Sequence, residues 1–240
     1  MTRWLWGALN ALQALFTVAV TVLGFPVAFL LGLAFGPRLP LRMAAWYWAP
    51  LLFAGAGVKL VVEGADCIDW TRPMVLVANH QSMIDIPCLF RAVPVPLRFV
   101  LKQEVQSIPI IGRYARMMGM VFIDRGNARD AKRKLGAAAE KLRGDAVFAA
   151  FPEGTRSKDG VVGPFKAGAV QVAMEAGVSV VPVAIDGAGR VLPPAGFLVR
   201  PGTIVVRFGT PIDTTGLAPN ERNALAQRAR DQIVAMLGLQ

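Results

Sequence analysis

The sequence is poor in the side chains that most often carry nucleophilic, redox or metal chemistry. It contains one histidine, His80, and two cysteines, Cys67 and Cys88, in 240 residues. A site built from several histidines is therefore excluded, and two cysteines provide neither a disulfide framework nor a metal cluster. Two reduced thiols in a reducing compartment are the favoured interpretation. The single imidazole is left as the side chain best suited to take up a proton near neutral pH.

Charge is also missing from the N-terminal region. No charged residue occurs between Trp4 and Gly36, whereas Arg3 precedes this run and Arg38 follows it. As one helix the run would be about 50 Å long, against about 30 Å of bilayer hydrocarbon, and it is too long for the core of a cleavable signal peptide. Pro26 should bend or break this helix, because proline lacks the backbone donor. The N-terminal region is therefore predicted to associate with a membrane.

A second apolar stretch, residues 43–58, is too short to span a bilayer comfortably. Its Trp-Tyr-Trp cluster at 46–48 suits the headgroup level, where an aromatic ring is partly dry and partly wet. Two arrangements stay open: a spanning helix followed by an interfacial one, or a pair of helices lying partly in one leaflet. We predict membrane-anchoring helices over residues 1–57 and a globular α/β domain over residues 58–240.

Positive charge is concentrated in the middle of the chain. The segment 91–143 holds twelve lysines and arginines against four acidic residues, and it supplies most of the net charge of +10. Such an excess fits nucleic acid, anionic lipid or a phosphorylated small molecule as the partner. The segment has few aromatic residues and shows no recognition-helix or zinc-finger pattern, so nucleic acid is not an expected partner.

From residue 58 onward, short β-rich runs alternate with amphipathic segments. This alternation predicts an α/β fold whose sheet is mixed but largely parallel, with helices on both faces. The predicted strands cover residues 58–63, 74–79, 98–102, 120–124, 146–151, 178–185 and 203–209. The predicted helices cover residues 83–92, 110–118, 127–143, 165–176 and 219–237.

The first candidate site lies in "LVANHQSMIDIP", residues 76–87. His80 should stand at the carboxyl end of an apolar strand, which is the edge where open α/β sheets bind ligands. Asp85 could orient the imidazole and stabilise its protonated form. Side chains five residues apart lie about 140° apart on one helix, so this pair can meet only if His80 precedes the helix and Asp85 points back. Ser82 is a plausible N-cap, and the alternative of a helix-start carboxylate beside a buried core histidine stays open.

The second candidate site is "FPEGTRS", residues 151–157, where an apolar strand runs into a polar loop. Gly154 would let the backbone approach a ligand, and Thr155 and Arg156 could hold phosphate oxygens. The glycine spacing is not that of a phosphate-binding P-loop. An ordinary polar turn with an ion pair between Glu153 and Arg156 is the competing interpretation.

A third strand, in "GMVFIDRG" (residues 119–126), also ends in a charged turn, which contains Arg125. Taken alone, this segment is an ordinary surface turn. Parallel strands, however, would bring all three loops to one edge of the sheet. One base, one acid and several cations at a single edge predict a site for an anionic substrate.

Together these segments resemble a known family. "NHQSMID", "VFIDRG", "FPEGTRS" and "VVPVAI" occur in the order of the four sequence blocks of the glycerolipid acyltransferases. Over about residues 60–210 the chain is similar to the 1-acylglycerol-3-phosphate acyltransferases. The resemblance implies transfer of an acyl chain from acyl-CoA or acyl carrier protein to the sn-2 hydroxyl of lysophosphatidic acid, giving phosphatidic acid. It implies neither a cofactor nor a metal ion.

The resemblance also implies roles for most of the site residues. His80 would be the general base that acts directly on the acceptor hydroxyl, and Asp85 would orient it. Lys102 is a further candidate for a phosphate contact because of its position at the end of the predicted strand 98–102, and it is not one of the residues that the resemblance supplies. The residues implied in acceptor binding are Arg125, Glu153, Gly154 and Arg156, and Thr155 joins them as the hydroxyl that the loop itself offers.

Three alternatives stay open at this point. Cys88 could form a covalent acyl-enzyme, the acceptor could be glycerol-3-phosphate or a lyso-aminolipid, or the protein could be a non-enzymatic adaptor that binds acidic lipid. The implied location is a membrane, the inner membrane in a bacterium, with the catalytic domain facing the cytoplasm where the acyl donors are found.

Overall fold

The polypeptide forms a sheet flanked by helices, with a long helix at its N-terminus. A computed structural model describes residues 3–109, 111–123, 136, 139–140, 142, 146–196 and 198–239. The strands are β1 Val58–Glu63, β2 Met74–Ala78, β3 Leu97–Lys102, β4 Val121–Ile123, β5 Val147–Ala150, β6 Ser179–Asp186 and β7 Gly202–Phe208. Within these residues they form one seven-stranded sheet in the order β1-β7-β6-β2-β5-β3-β4.

The strand directions make this sheet mixed but largely parallel. β2 is parallel to β5 and β6, and β3 is parallel to β5 and β4, so these five strands end at the same edge. β7 is antiparallel to β6 and parallel to β1. The predicted fold class is confirmed, and each predicted strand is present with its described ends within one residue of the predicted ends.

The helices lie on both faces of the sheet. They are α1 Arg3–Phe35, α2 Arg38–Met43, α3 Ala49–Ala56, α4 Asp85–Ala92, α5 Ile111–Met117, α6 Gly168–Ala176, α7 Ala188–Val191 and α8 Arg222–Met236. A π-helical turn, Ala44–Trp48, joins α2 to α3, and 3-10 turns occupy Ala65–Cys67, Gln103–Ser107 and Pro219–Glu221. The helix predicted over residues 127–143 lies largely outside the described residues.

β2 is buried on both faces, which explains its continuous run of apolar residues. On one face, Leu76 belongs to a cluster with Phe53 of α3 and Leu89 of α4. On the other face, Val75 and Phe148 pack with residues of α6 and α8. β2 is thereby held from both sides, and so is the start of the segment that follows it.

α1 is a single helix that passes through Pro26 without interruption. Of the bend or break predicted at this proline, the break is wrong. Proline removes one backbone donor, while the turns before and after it keep their own hydrogen bonds, so a long apolar helix can contain it. The nearby Gly24 lies against the ring of Tyr47, since a Cβ at Gly24 would be 3.1 Å from that ring. Packing against the next helical segment thus supports α1 beside the proline.

α1 lies along the rest of the protein rather than projecting from it. Near its start, the Asn10 side chain accepts a hydrogen bond of 2.6 Å from the backbone N–H of Val199. Further on, the rings of Phe25 and Tyr114 have their centres 4.6 Å apart, and near its end Gly32 lies against α5. The opposite side exposes a row of large apolar residues: Leu12, Leu15, Val18, Val22, Leu23, Val27, Leu30, Leu33 and Phe35.

By length and composition, Trp6–Phe35 is the one helix in the described part of the chain that could cross a membrane. In the π-helical turn, Trp46 and Tyr47 are 65% and 42% exposed. Trp48, by contrast, donates a hydrogen bond to the hydroxyl of Thr21 in α1. The N-terminal region thus exposes apolar side chains both on α1 and on the segment that packs against it.

Candidate active site

The carboxyl ends of β2, β5 and β3 lie next to one another, because these strands are adjacent and parallel. We call this edge of the sheet the site edge. His80 follows β2 there, Glu153 follows β5, and Lys102 is the exposed last residue of β3. The loops after β2 and β5 therefore lie at one edge of the sheet, as predicted, and the end of β3 lies beside them. Arg125, in the turn after β4, lies outside the described residues.

His80 and Asp85 form a hydrogen-bonded pair at the site edge. His80 Nδ1 is 2.8 Å from Asp85 Oδ2, and α4 begins at Asp85. The imidazole therefore precedes the helix and the carboxylate points back to it, as the offset of five residues predicted. Asp85 is fully buried, whereas 14% of the His80 side chain is exposed. The pair thus combines a protected carboxylate with an accessible imidazole.

Asp85 also holds the backbone between itself and His80. Its Oδ2 accepts hydrogen bonds of 2.8 Å from the backbone N–H groups of both Gln81 and Ser82. The Ser82 hydroxyl accepts the backbone N–H of Ile84 at 3.3 Å, the contact expected of an N-cap side chain, and it donates to the carbonyl of Leu192 at 2.6 Å. The regular turns of α4 begin three residues later, at Asp85. One carboxylate oxygen therefore fixes both the backbone conformation of the turn and the orientation of the imidazole.

One face of the His80 ring is covered by Phe151. The two rings are stacked, with centres 4.0 Å apart and planes inclined by 16°. An ionised carboxylate only accepts hydrogen bonds, so pairing with Asp85 assigns the ring proton to Nδ1 and leaves the lone pair on Nε2. The imidazole is thus held by Asp85 at Nδ1 and by Phe151 on one ring face, and Nε2 is available to accept a proton.

Asn79 holds the chain at the point where β2 leaves the sheet. Its side-chain amide donates to the backbone carbonyl of Ile185 at 2.9 Å and accepts from the backbone N–H of Ile185 at 2.8 Å. The side chain thereby replaces the backbone of β2 as the partner of β6. The chain can turn away at His80 without leaving buried groups of β6 unpaired.

Glu153 contacts the backbone of His80. Its Oε1 accepts the N–H of His80 at 2.8 Å, and its Oε2 accepts the N–H of Gly163 at 3.0 Å. The residue is buried, and burial raises its pKa, while the two backbone hydrogen bonds partly offset this rise. The ion pair between Glu153 and Arg156 that the sequence allowed is not formed, and the carboxylate instead accepts the two backbone N–H groups.

The loop after β5 also holds the carbonyl group of His80. The backbone N–H of Ser157 donates to this carbonyl at 2.8 Å. Gly154 lies between the two contacts and has a φ of 80°, a left-handed conformation that favours glycine. Thr155 is exposed and Arg156 is half-buried. The loop therefore forms hydrogen bonds with both the backbone N–H and the backbone carbonyl of His80. The same loop carries the Thr155 hydroxyl and the Arg156 guanidinium.

Cys88 lies in α4 and is fully buried. Burial raises the pKa of its thiol well above the usual range, and the nearby Asp85 carboxylate adds to this rise. Since the thiolate is the nucleophilic form of cysteine, the surroundings of Cys88 do not suit covalent catalysis.

Comparison with known proteins identifies the family. A family model described as Acyltransferase matches residues 59–186, which is more than half of the chain and includes His80, Asp85 and Glu153. The chain belongs to the acyltransferase family.

Curated relatives and a solved structure agree with this assignment. The chain is 31% identical over 234 residues to the chloroplastic 1-acyl-sn-glycerol-3-phosphate acyltransferase LPAT1 of Arabidopsis thaliana, covering 95% of this chain and 62% of that protein. It is 31% identical over 181 residues to the human 1-acyl-sn-glycerol-3-phosphate acyltransferase alpha, covering 75% of this chain and 64% of that protein. The chain thus spans less than two thirds of the length of these curated relatives.

The solved structure extends the similarity to almost the whole chain. The crystal structure of the 1-acyl-sn-glycerophosphate acyltransferase PlsC from Thermotoga maritima matches with a TM-score of 0.79 and 30% identity. The match covers 95% of both chains, so it includes most of the N-terminal helices as well as the sheet.

In this member of the family, an apolar cavity of about 300 Å³ lies between the N-terminal helices and the sheet. Thr21, Phe25 and Ala28 of α1 line one wall, and residues of α4, β3 and α5 line the others. The sequence interpretation missed this cavity. The spacing of three or four residues along α1 marks a buried helical face, but it does not show that the face borders an empty space.

A row of aromatic rings connects the cavity to His80. The ring of Phe151, which covers the imidazole, is 6.1 Å from that of Phe99, and the rings of Phe99 and Phe90 are 5.1 Å apart. Phe90 is in turn 6.2 Å from Trp48. Phe99, Phe90 and Trp48 all line the cavity. Its apolar wall therefore continues to the side of the catalytic candidate.

Proposed function

We propose that this acyltransferase moves a fatty acyl chain from acyl-CoA or acyl carrier protein to the sn-2 hydroxyl of lysophosphatidic acid, giving phosphatidic acid. The observation that carries the proposal is the 2.8 Å pair of His80 and Asp85 beside an apolar cavity. The Arabidopsis and human relatives, both named as 1-acyl-sn-glycerol-3-phosphate acyltransferases, support this choice of acceptor.

The geometry suits direct attack by the acceptor. His80 Nε2 takes the proton of the sn-2 hydroxyl while the hydroxyl oxygen attacks the thioester carbonyl carbon. Asp85 keeps the other proton on Nδ1 and stabilises the imidazolium that forms. When the tetrahedral intermediate collapses, the carbon–sulfur bond breaks and Nε2 returns the proton to the leaving sulfur. An ester bond has then replaced the thioester bond, and no acyl-enzyme is required.

Cations at the site edge are proposed to hold the phosphate of the acceptor. Arg156 is half-buried in the loop that is hydrogen-bonded to the His80 backbone, and Lys102 is exposed at the end of β3. A guanidinium can bind two phosphate oxygens at once. Arg125 is assigned to the same role by the resemblance, while Thr155 offers a hydroxyl and Gly154 a close approach of the backbone.

Glu153 receives a positioning role in this proposal instead of a contact with the acceptor. Both of its oxygens already accept backbone hydrogen bonds, one of them from His80. Asn79 and Asp85 hold the same short segment from its other sides. The three side chains together fix the position from which the imidazole acts.

The apolar cavity is proposed to take the acyl chain of the donor. A thioester whose carbonyl lies beside His80 could place its chain past Phe151 and along Phe99 into the space lined by α1 and α5. Burial of a chain there removes apolar surface from water, at about 0.8 kcal/mol per methylene group.

The N-terminal helices are proposed to lie in one leaflet. α1 packs along the globular domain from Asn10 to Gly32, so a spanning α1 would carry polar loops of the sheet into hydrocarbon, where unpaired backbone groups are costly. Residues 1–57 would then anchor the catalytic domain, residues 58–240, beside the membrane that supplies its acceptor. The catalytic domain would face the cytoplasm, at the inner membrane in a bacterium.

A transfer assay tests the proposal. Full-length protein in detergent is given lysophosphatidic acid with acyl-CoA or acyl carrier protein, and the phosphatidic acid formed is quantified. We expect the His80→Ala variant to lose about two to four orders of magnitude in turnover, as for removal of a general base, while lysolipid binding survives. The Cys88→Ala variant should retain turnover, because the mechanism does not use this thiol.

Each other outcome points to a different function. Faster acylation of glycerol-3-phosphate or of a lyso-aminolipid would show that the acceptor is wrong. Loss of turnover in the Cys88→Ala variant would favour a covalent route. Transfer absent from the wild type, with lipid binding unchanged by His80→Ala, would favour a non-enzymatic lipid adaptor.

A further inference from the structure

A second cavity, of about 260 Å³, lies at the edge of the sheet opposite to the site edge. Arg98, at the start of β3, and Arg38 and Arg42 of α2 line it, and we call it the arginine cavity. With about 3.3 Å per residue along a strand, Arg98 is about 13 Å from Lys102 at the other end of β3. The arginine cavity is therefore separate from the proposed reaction site.

The three guanidinium groups of the arginine cavity form no ion pair within the described part of the chain. Burial lowers the pKa of Arg98, and the charge of Arg38 lowers it further. The carboxylate of Asp69, one residue before the cavity-lining Trp70, is bound by the hydroxyl of Thr71, at 2.5 Å, and by Arg72, at 3.0 Å. Like charges around one cavity repel one another, and a bound anion would relieve this repulsion.

The arginine cavity adjoins an exposed apolar surface. Phe35, three residues before Arg38, is 72% exposed, and Trp46, four residues after Arg42, is 65% exposed. The Arg42 guanidinium lies 5.6 Å from the centre of the Trp46 ring. Basic groups beside exposed aromatic rings are typical of the level where a membrane meets water, which is the level of lipid phosphates.

We propose that the arginine cavity binds the phosphate group of an anionic membrane phospholipid. A guanidinium pairs well with two oxygens of one phosphate, and three of them around one cavity can hold a phosphodiester. Trp70, Val95 and Pro96 complete the wall and give apolar contacts for the glycerol backbone. The choice of a lipid source rests on the proposed membrane attachment of α1, but the site does not depend on the proposed acyl transfer.

A phosphate in this cavity would connect two parts of the molecule. Arg38 and Arg42 belong to α2, whereas Arg98 belongs to the sheet. A shared anion would hold the N-terminal helices against the globular domain and oppose their separation. Binding should therefore raise the unfolding temperature as well as being directly measurable.

The test measures lipid binding by the full-length protein in a nonionic detergent, without acyl donor or acceptor. Dioctanoyl phosphatidylglycerol is compared with dioctanoyl phosphatidylcholine and with inorganic phosphate, by the shift in unfolding temperature and by titration. We expect phosphatidylglycerol to bind more tightly than either. The Arg38→Gln/Arg42→Gln variant should lose about tenfold or more in affinity, because it removes two charge-assisted contacts.

The matched control is Arg222→Gln/Arg228→Gln, which also removes two exposed arginines, but from α8. It should bind phosphatidylglycerol like the wild type, and Arg98→Gln provides an independent change in the cavity. Equal loss in both double variants would show a general charge effect and overturn the proposal. Equal binding of inorganic phosphate would overturn the lipid assignment. A separate titration with acyl-CoA covers the remaining case: if Arg38→Gln/Arg42→Gln weakens the affinity for acyl-CoA and leaves that for phosphatidylglycerol unchanged, the cavity belongs to the donor's phosphates instead.

Discussion

Glu153 joins the loop after β5 to the residue proposed as the base. Its carboxylate accepts the backbone N–H groups of His80 and Gly163, so its effect on the reaction would pass through the position of the imidazole. A positioning residue and an acceptor contact differ kinetically. Loss of positioning lowers turnover, whereas loss of an acceptor contact mainly raises the KM for the acceptor.

Replacing this carboxylate should therefore affect kcat. In Glu153→Gln, one carboxylate oxygen becomes an amide NH2 that faces a backbone N–H and cannot accept from it. We expect kcat to fall by about tenfold to a hundredfold with the KM for lysophosphatidic acid little changed, since a hydrogen bond to a charged group contributes about 1.5–3 kcal/mol. Steady-state kinetics at varied acceptor concentration measures both constants.

Asp159→Asn provides the control within the same loop, because this exposed carboxylate bonds Ser157 and Val161 but not His80. It should change kcat much less. A raised KM with unchanged kcat in Glu153→Gln would instead assign Glu153 to the acceptor.

The same residue gives a dependence of stability on pH. Because burial raises its pKa above 4.5, the folded protein binds this proton more tightly than the unfolded chain. As pH rises from 4.5 through the raised value, the unfolding temperature of the wild type should fall relative to that of Glu153→Gln.

At the scale of elements, the wall that α1 gives to the apolar cavity can be tested with adjacent residues. Ala28 is buried and lines the cavity, whereas Val27 is 50% exposed on the same helix. Ala28→Phe should fill part of the space and lower the kcat/KM ratio of palmitoyl over decanoyl donors by about tenfold or more, because each displaced methylene is worth about 0.8 kcal/mol.

Val27→Phe adds the same ring outside the cavity and should leave that ratio unchanged. Competition between the two donors in one reaction measures the ratio directly. An unchanged ratio in Ala28→Phe, with the variant folded and active, would show that the acyl chain binds elsewhere.

The strands were predictable because each carries its own signal. β2, for example, is a short apolar run buried on both faces, and its ends are marked by the change to polar residues. The continuity of α1 through Pro26 was not predictable from that proline, because packing against Tyr47 and the neighbouring turns outweighs one lost backbone donor. The second contact of Ser82 was likewise not predictable, since the carbonyl to which its hydroxyl donates belongs to Leu192, 110 residues further along the chain.

For the whole molecule, the packing of α1 along the domain predicts the side of the membrane on which the two ends lie. If the N-terminal helices occupy one leaflet, tags fused before Arg3 and after Leu239 should be on the same side of a sealed vesicle. Protease protection of each tag, with and without detergent, measures this. We expect both tags to be cut together or protected together.

A membrane protein with one spanning helix serves as the control, since its two ends must differ in protection. Opposite protection of the two tags in this protein would show that α1 spans the bilayer. The catalytic domain would then have to separate from α1 along contacts such as that between Asn10 and Val199.

The chemical groups of the site and the strand ends that carry them could be read from the sequence: one imidazole, a carboxylate five residues later and a polar loop after a second strand. These are local features, and the offset of His80 and Asp85 was enough to predict that the imidazole precedes the helix. The structure was needed to show that Glu153 binds the backbone of a residue 73 positions earlier, and that the apolar cavity and the arginine cavity lie beside the sheet. Such contacts depend on how separate elements pack. Because the residues involved are far apart along the chain, no local or periodic sequence pattern predicts them.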